Sequence, residues 1–271
     1  MSQPRLDGKV AIVTGAGSII GIGRAITLAL VGAGARVAML DIDAQSLERS
    51  AADARQVGGK DCVATVVADA TNPESVEHAV QRAIAELGGL HILVNNAGIN
   101  PRFGFWDLPA EAWLKTIATN LSGPFLMAKA VAPHLRAQGW GRIIGVTTSL
   151  DTMLRTMPYG PSKAGHEAFM AVLASEIEGT GVTANILIPG GPVDTYMTHG
   201  LGYESDSLLK PEVMQAPIVW LASDESAGIH GRRIIAQHWD ESLPIERRLE
   251  KSSAPIAWPQ LGRPAAERGS R

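Results

Sequence analysis

The chain reads as one doubly wound α/β domain built on a mainly parallel, seven-stranded sheet, and three observations predict it. Short apolar, β-branched runs alternate with longer segments of helical period as far as residue 236. The first run, Lys9–Thr14, opens into the glycine-rich turn Gly15–Gly23 and then a helix-like stretch. The second run, Arg36–Leu40, ends in Asp41, about twenty residues beyond that turn. Alternation of this kind places helices on both faces of a parallel sheet. A length of 271 residues suffices for one such domain with a substantial core.

Taken in order, strands are expected near 9–14, 36–41, 62–68, 90–95, 142–148, 182–188 and 232–236. Helices are expected between them near 22–33, 43–57, 73–87, 109–137, 159–178 and 211–222. Pro73-Glu74 and Pro211-Glu212 suit first helical turns, where proline's fixed φ is harmless and an acid faces the positive dipole end. Cys62, the single cysteine, begins the apolar run Cys62–Val67 and reads as a small core residue. Residues 1–239 form the expected domain, with a substrate loop at 190–210. After Trp239 the character changes: Pro244, Pro255, Pro259 and Pro264 punctuate a charged stretch carrying Trp258 and Leu261, so 240–271 is expected to be an irregular tail.

Composition narrows the function. A net charge of −3 without a dense basic stripe argues against nucleic acid or an anionic membrane as partner. No apolar run approaches a membrane span, and Met1–Lys9 lacks the basic-then-apolar pattern of a leader, so a cytoplasmic protein is expected. The seven histidines show no metal-ligand pairing, and no metal is expected.

Tyr159 and Lys163 carry the strongest chemical signal. At helical spacing they share one face, with Cβ atoms roughly 5–6 Å apart. Moving a tyrosine from its usual value near ~10 to about 7 requires roughly 4 kcal/mol of phenolate stabilisation. One ammonium about 5 Å away supplies roughly 3 kcal/mol at an effective dielectric of about 20. The pair is thus suited to acid–base work on a hydroxyl or carbonyl. The glycine turn permits close backbone approach to a pyrophosphate at a helix N-terminus. Asp41 stands where a carboxylate binds a ribose 2′-hydroxyl and repels a 2′-phosphate, which points to NAD.

The glycine loop after Thr14, Asn95-Asn96-Ala97-Gly98, Asn120, Tyr159-x-x-x-Lys163 and Pro189-Gly190 occur in an order that resembles the short-chain dehydrogenase/reductase family, over roughly residues 6–236. The resemblance implies a single Rossmann-type domain that moves hydride between a nicotinamide cofactor and a small carbonyl or alcohol substrate. It assigns chemistry to Asn120, Tyr159, Lys163 and a hydroxyl, with Tyr159 as general acid/base and Asn120 holding a water in a proton relay from Lys163. It assigns cofactor contacts to Gly15, Ser18, Gly21, Ile22, Gly23, Asp41, Asp69, Asn95 and Gly98, to Tyr159 and Lys163, and to Pro189, Gly190, Val193 and Thr195. Family members are often tetramers, so a homo-oligomer, tetramer or dimer, is expected.

Several features depart from the family pattern. The hydroxyl position falls on Thr148 by strand register, while Ser149 is favoured on chemistry, and the loop between it and Tyr159 is trimmed. The glycine loop carries two additional residues, with adjacent Ile19 and Ile20. Asp69 has an equal reading as an acid that caps a turn. Met197, His199, Leu201, Tyr203 and Leu208 in the substrate loop, with Phe103 and Trp106, suggest a moderately apolar substrate. Two other readings stay open at this level: an NAD-binding regulatory or scaffold protein, and an enoyl reductase.

Overall fold

The five residues of β1 (Val10–Thr14) are all buried, which is what a central strand covered on both faces demands. The computed structural model describes residues 4–258 except Leu201. Leu201 of the expected substrate loop, and Pro259, Leu261 and Pro264 of the expected tail, therefore lie outside the described residues. The further strands are β2 (Arg36–Asp41), β3 (Val63–Val67), β4 (Ile92–Asn95), β5 (Gly141–Val146), β6 (Val182–Ile188), β7 (Arg232–Ile235) and β8 (Ser253–Pro255). They form one sheet in the order β3-β2-β1-β4-β5-β6-β7-β8. All neighbouring pairs are parallel except β7 with β8. The chain winds outward from β1 to β3, then returns to lay β4 on the other side of β1. That reversal opens a crevice at the carboxyl ends of β1 and β4.

The helices are α1 (Ile22–Gly32), α2 (Ala44–Gly58), α3 (Pro73–Leu87), α4 (Ala110–Ile117), α5 (Gly123–Ala137), α6 (Leu150–Arg155), α7 (Tyr159–Glu176), α8 (Gln215–Ala222) and α9 (Ile245–Ser252). Alternate residues of β1 feed two cores. Ala11 and Val13 pack with Ile26 and Leu30 of α1, Leu47 of α2 and Ile218 of α8. Val10 and Ile12 pack with Val76 and Val80 of α3, Met127 and Val131 of α5 and Met170 of α7. Local chemistry sets the helix starts. The Asp43 carboxylate accepts from the amides of Gln45 and Ser46, and the Asn72 side chain accepts from Ser75 ahead of Pro73. Cys62 is buried, donates to the Ala54 carbonyl, and burial pushes its thiol pKa up, which suits an inert core residue.

The sheet has one strand more than expected, and the expected irregular tail is ordered over 245–255. Pro244 precedes α9 and Pro255 is the last residue of β8. Both are positions where a missing N–H does no harm. Ile245 and Leu249, one helical turn apart, turn α9 onto the first core beside Trp239. The expected helix over 109–137 is interrupted by a π-turn at Ala118–Ser122, and the expected 211–222 helix begins with a 3₁₀ turn at Pro211–Met214. The short α6 had no counterpart in the sequence reading.

The centre and the edge of the sheet predict opposite tolerances. Ile12→Ala, inside the second core, is expected to lower unfolding free energy by about 2–5 kcal/mol. Val67→Ala, on the edge strand and 53% exposed, is expected to change it by less than about 0.5 kcal/mol. Urea unfolding midpoints of both variants check the contrast.

Candidate active site

A cavity of about 950 Å³ opens at the crevice between β1 and β4 and reaches α7 and the substrate loop. Its floor is the glycine turn. A Cβ at Gly23 would stand 2.2 Å from the Gly15 carbonyl oxygen, so α1 meets the turn only because Gly23 carries no side chain, while Gly15 has φ +66° and a Cβ there would stand 2.8 Å from Ala97 Cα. In the lengthened loop the adjacent isoleucines differ, Ile19 exposed and Ile20 half-buried. The Gly21 amide donates to Ser18 O at 3.0 Å. Gly15, Ser18, Gly21, Ile22, Gly23 and Asp41 all line the cavity. Asp41 accepts from the Gly17 amide at 2.8 Å, which fixes the carboxylate against the loop.

Opposite the floor, Thr14 and Asn96 join the ends of β1 and β4. Thr14 Oγ1 accepts from the amides of Asn96 and Ala97, both at 3.0 Å. The Asn96 side-chain amide donates to the carbonyls of Thr14 and Gly15 at 2.9 and 3.1 Å. Asn96, Ala97 and Gly98 thus form the wall. Asn95, expected there, is buried on the other side, donating to Pro124 O at 3.1 Å. The last residue of a strand and its successor face opposite ways, and the sequence alone did not say which asparagine turned inward. Asp69 likewise lies off the cavity wall; it accepts from the amide and hydroxyl of Thr71 at 2.8 and 2.7 Å, the turn-capping role.

Helix α7 supplies the reactive groups. Tyr159 and Lys163 both line the cavity. The Lys163 ammonium lies 5.8 Å from the Tyr159 ring centre and donates to Val146 O at 2.8 Å. Burial pushes the Lys163 pKa down to about 8. Burial also raises the Tyr159 phenol above its usual value, contrary to the lowering expected from the lysine. Desolvation of the phenolate dominates, so the protein alone holds Tyr159 as a neutral acid. His166, one turn beyond Lys163, is wholly buried and held neutral by burial and then by the lysine charge.

The two hydroxyl candidates separate cleanly. Thr148 stands on the cavity wall. Ser149 is the N-cap of α6: its Oγ accepts from the Thr152 amide at 3.2 Å and pairs with Thr152 Oγ1 at 2.9 Å. With α6 beginning at Leu150, the second hydroxyl falls at its N-cap. Asn120 sits in the π-turn, wholly buried, and its side chain is fully engaged. Oδ1 accepts from Ile99 N at 2.8 Å, while Nδ2 donates to Ile99 O and Ser162 Oγ, both at 2.9 Å. The side chain therefore ties the Gly98–Ile99 wall to α7 and is not itself on the cavity surface.

The loop after β6 closes the remaining side. Pro189, Val193 and Thr195 line the cavity, with Gly191 in place of Gly190. Gly190 has φ +105° and is tucked against Gln237. Sequence reasoning missed Arg102, whose guanidinium donates to the carbonyls of Met197 at 2.5 Å and His199 at 3.2 Å and so clasps the substrate loop. It also missed Thr152, Thr156 and Lys115 on the wall, residues with no motif to mark them. Met197, Tyr196 and Tyr203 border the same space, whereas Phe103 and Trp106 do not, and Trp106 is 91% exposed. Among the described residues no cluster of potential metal ligands occurs, and no helix is long and apolar enough to cross a membrane.

Comparison with known proteins agrees with this arrangement. Residues 9–205 match the family model described as short chain dehydrogenase. The D-threitol dehydrogenase of Mycolicibacterium smegmatis is 37% identical over 245 residues, covering 85% of this chain and 92% of that protein. The 3-oxoacyl-(acyl-carrier-protein) reductase of Escherichia coli is 34% identical over 243 residues, covering 84% and 95%. A short-chain type dehydrogenase/reductase from Mycobacterium marinum superposes with TM-score 0.78 at 30% identity, covering 85% of this chain and 94% of that one. A glycine floor, a tyrosine–lysine helix face and this ancestry lead to one statement: the chain belongs to the short-chain dehydrogenase/reductase family of oxidoreductases.

Proposed function

We propose that the protein interconverts a secondary alcohol and a carbonyl using NAD(H), with Tyr159 as the general acid/base. The observation that carries this reading is one continuous cavity lined by the glycine floor and Asp41 at one end and by Thr148, Tyr159 and Lys163 at the other. The floor fits a dinucleotide, because Gly15, Ser18, Gly21, Ile22 and Gly23 line the cavity at the N-terminal end of α1, where unpaired amides can face a pyrophosphate. Gly15, Ser18, Gly21 and Ile22 would hold the pyrophosphate, Asp41 the adenosine ribose, and Gly98, Pro189, Val193 and Thr195 the nicotinamide end. Asp41, already anchored to Gly17, disfavours a 2′-phosphate at that ribose, which supports NAD over NADP. When bound, the cofactor supplies or accepts the hydride.

The protein's own groups manage the proton. In the reduction direction, Tyr159, kept neutral by burial, donates its phenolic proton to the oxygen of the substrate carbonyl. The Thr148 hydroxyl donates a hydrogen bond to the same oxygen and stabilises its developing charge. Lys163, held by Val146 O, presents its remaining N–H groups to the nicotinamide ribose and favours the phenolate left behind. Asn120 keeps the Gly98–Ile99 wall in register with α7. The kinship with a D-threitol dehydrogenase places small polyols in the substrate panel beside ketoacids and β-ketoacyl thioesters. Met197, Tyr196, Thr152 and Thr156 on the wall offer both apolar and polar contacts to such compounds.

NADH oxidation and NAD reduction across that panel test the reading. Tyr159→Phe is expected to lower turnover by about 10²–10⁴-fold while the NADH dissociation constant changes by less than about threefold. Thr148→Val should lose about 10²–10³-fold, whereas Ser149→Ala should leave turnover near wild type and lower stability by about 1 kcal/mol through the lost cap. Equal loss of binding and turnover in Tyr159→Phe would refute these roles.

The lysine gives a pH signature. With its pKa near about 8 in the free protein, Lys163 carries its charge below that pH and loses it above. NADH affinity is therefore expected to hold level up to pH ~8 and to weaken above it, and to stay flat in Lys163→Met. Fluorescence titration of NADH from pH ~6.5 to ~9.5 checks the slope.

A further inference from the structure

Three consecutive residues at the end of β5 are each gripped from the α7 side. Lys163 holds the Val146 carbonyl at 2.8 Å. The Thr147 hydroxyl donates to Glu167 at 3.2 Å. The Thr148 carbonyl accepts from Arg233 Nη2 at 2.8 Å, while the other arm of the same guanidinium donates to Glu167. Glu167 follows Lys163 by one helical turn, as Lys163 follows Tyr159, so one face of α7 serves the cavity and the strand end together. Arg233 belongs to β7, on the far side of β6 from β5, and reaches back to Thr148.

Neither charge of this pair meets water. Glu167 is 0% exposed and Arg233 5%. Desolvating both ions offsets most of their mutual attraction, so global stability alone is a poor reason to keep such a pair. The carboxyl-terminal segment completes its enclosure. β8 places Ala254 opposite Arg233. Ile256 is buried, the Ala257 amide donates to Glu167 Oε1 at 3.4 Å, and the Trp258 ring lies 5.6 Å from the Arg233 guanidinium carbon. Ala257 and Trp258 have φ of +57° and +52°, a conformation that non-glycine residues adopt only under constraint. The chain is bent back at a cost, and the bend ends on the ion pair.

We propose that Glu167 and Arg233 are positioning residues for Thr148, and that segment 254–258 keeps water from the pair, so the carboxyl-terminal part of the chain sets the geometry of the catalytic hydroxyl. This rests on the assignment of Thr148 made above. Two acceptors on one guanidinium, Glu167 and the Thr148 carbonyl, leave the end of β5 little freedom to rotate. Displacement of a substrate-binding hydroxyl by about 1 Å is enough to lower a rate by about 10²-fold.

Arg233→Lys is the informative variant, because a lysine keeps a cation beside Glu167 but has no fork to span two acceptors. It is expected to lower kcat on the best panel substrate by about 10- to 100-fold with NADH affinity within about twofold of wild type. Amide hydrogen exchange, which needs no substrate, should accelerate in peptides covering 146–149 and stay unchanged in β1 and β4. In a Thr148→Val background the same Arg233→Lys change should cost no further activity. Undiminished loss in that background, or unchanged exchange at 146–149, would overturn the proposal. A Thr148→Val variant with wild-type turnover would instead remove the hydroxyl assignment, and exchange at 146–149 tells that failure from failure of the pair. Should Arg233→Lys not fold, Trp258→Ala leaves the pair in place and carries the same exchange and coupling test, with about a threefold loss of kcat expected.

Discussion

The site depends on how two parallel strands that are not neighbours in sequence are joined at their carboxyl ends. β1 and β4 come together where the winding of the sheet reverses, and nothing in a parallel ladder by itself fixes the backbone beyond the last paired residues. Thr14 and Asn96 do that here. One hydroxyl accepts from two successive amides of the β4 end, and one side-chain amide donates to two successive carbonyls of the β1 end. The glycine floor and the Gly98 wall are then parts of one rigid corner. Asn120 extends the corner to α7 through Ile99 and Ser162. The cavity is defined by a chain of backbone polar groups satisfied by side chains, each short and each buried or half-buried.

On α7 the dominant electrostatic fact is desolvation. Burying an ammonium and a phenol side by side raises the pKa of one and lowers that of the other, pushing both toward their uncharged forms. Among the described residues one protein acceptor, Val146 O, meets the lysine. An environment of this kind responds strongly to any charge brought into it, because little water remains to screen it. In the protein alone the tyrosine is thereby held protonated.

Much of this was legible in the chain before any coordinates. Strand, glycine turn and helix could be read because close backbone approach admits few residue types, and Asp41 because it ends the next strand. Tyr159 and Lys163 could be read because helical spacing puts them on one face. What could not be read depended on which way a strand end turns. Asn95 and Asn96 are chemically identical, and only the pleat separates a buried strut from a cavity wall. Thr148 and Ser149 posed the same problem: with α6 starting at Leu150, Ser149 becomes its cap and Thr148 stays on the cavity wall. The ordered tail was missed for another reason. Prolines read as breakers throughout 240–271, but Pro244 and Pro255 sit at the ends of their elements, and the i, i+4 pair Ile245 and Leu249 carries the helical signal.

β8 also changes what the sheet can do to its surroundings. An uncovered β7 would present a row of free N–H and C=O groups, a template on which another extended chain could add itself. Here that row is met by a strand of three residues from the same chain, running antiparallel and ending in a proline that has no N–H to offer. The sheet is thus terminated at this side by its own sequence. A molecule that lost residues 253–258 would expose the edge of β7 at the same moment as it uncovered the ion pair behind Thr148.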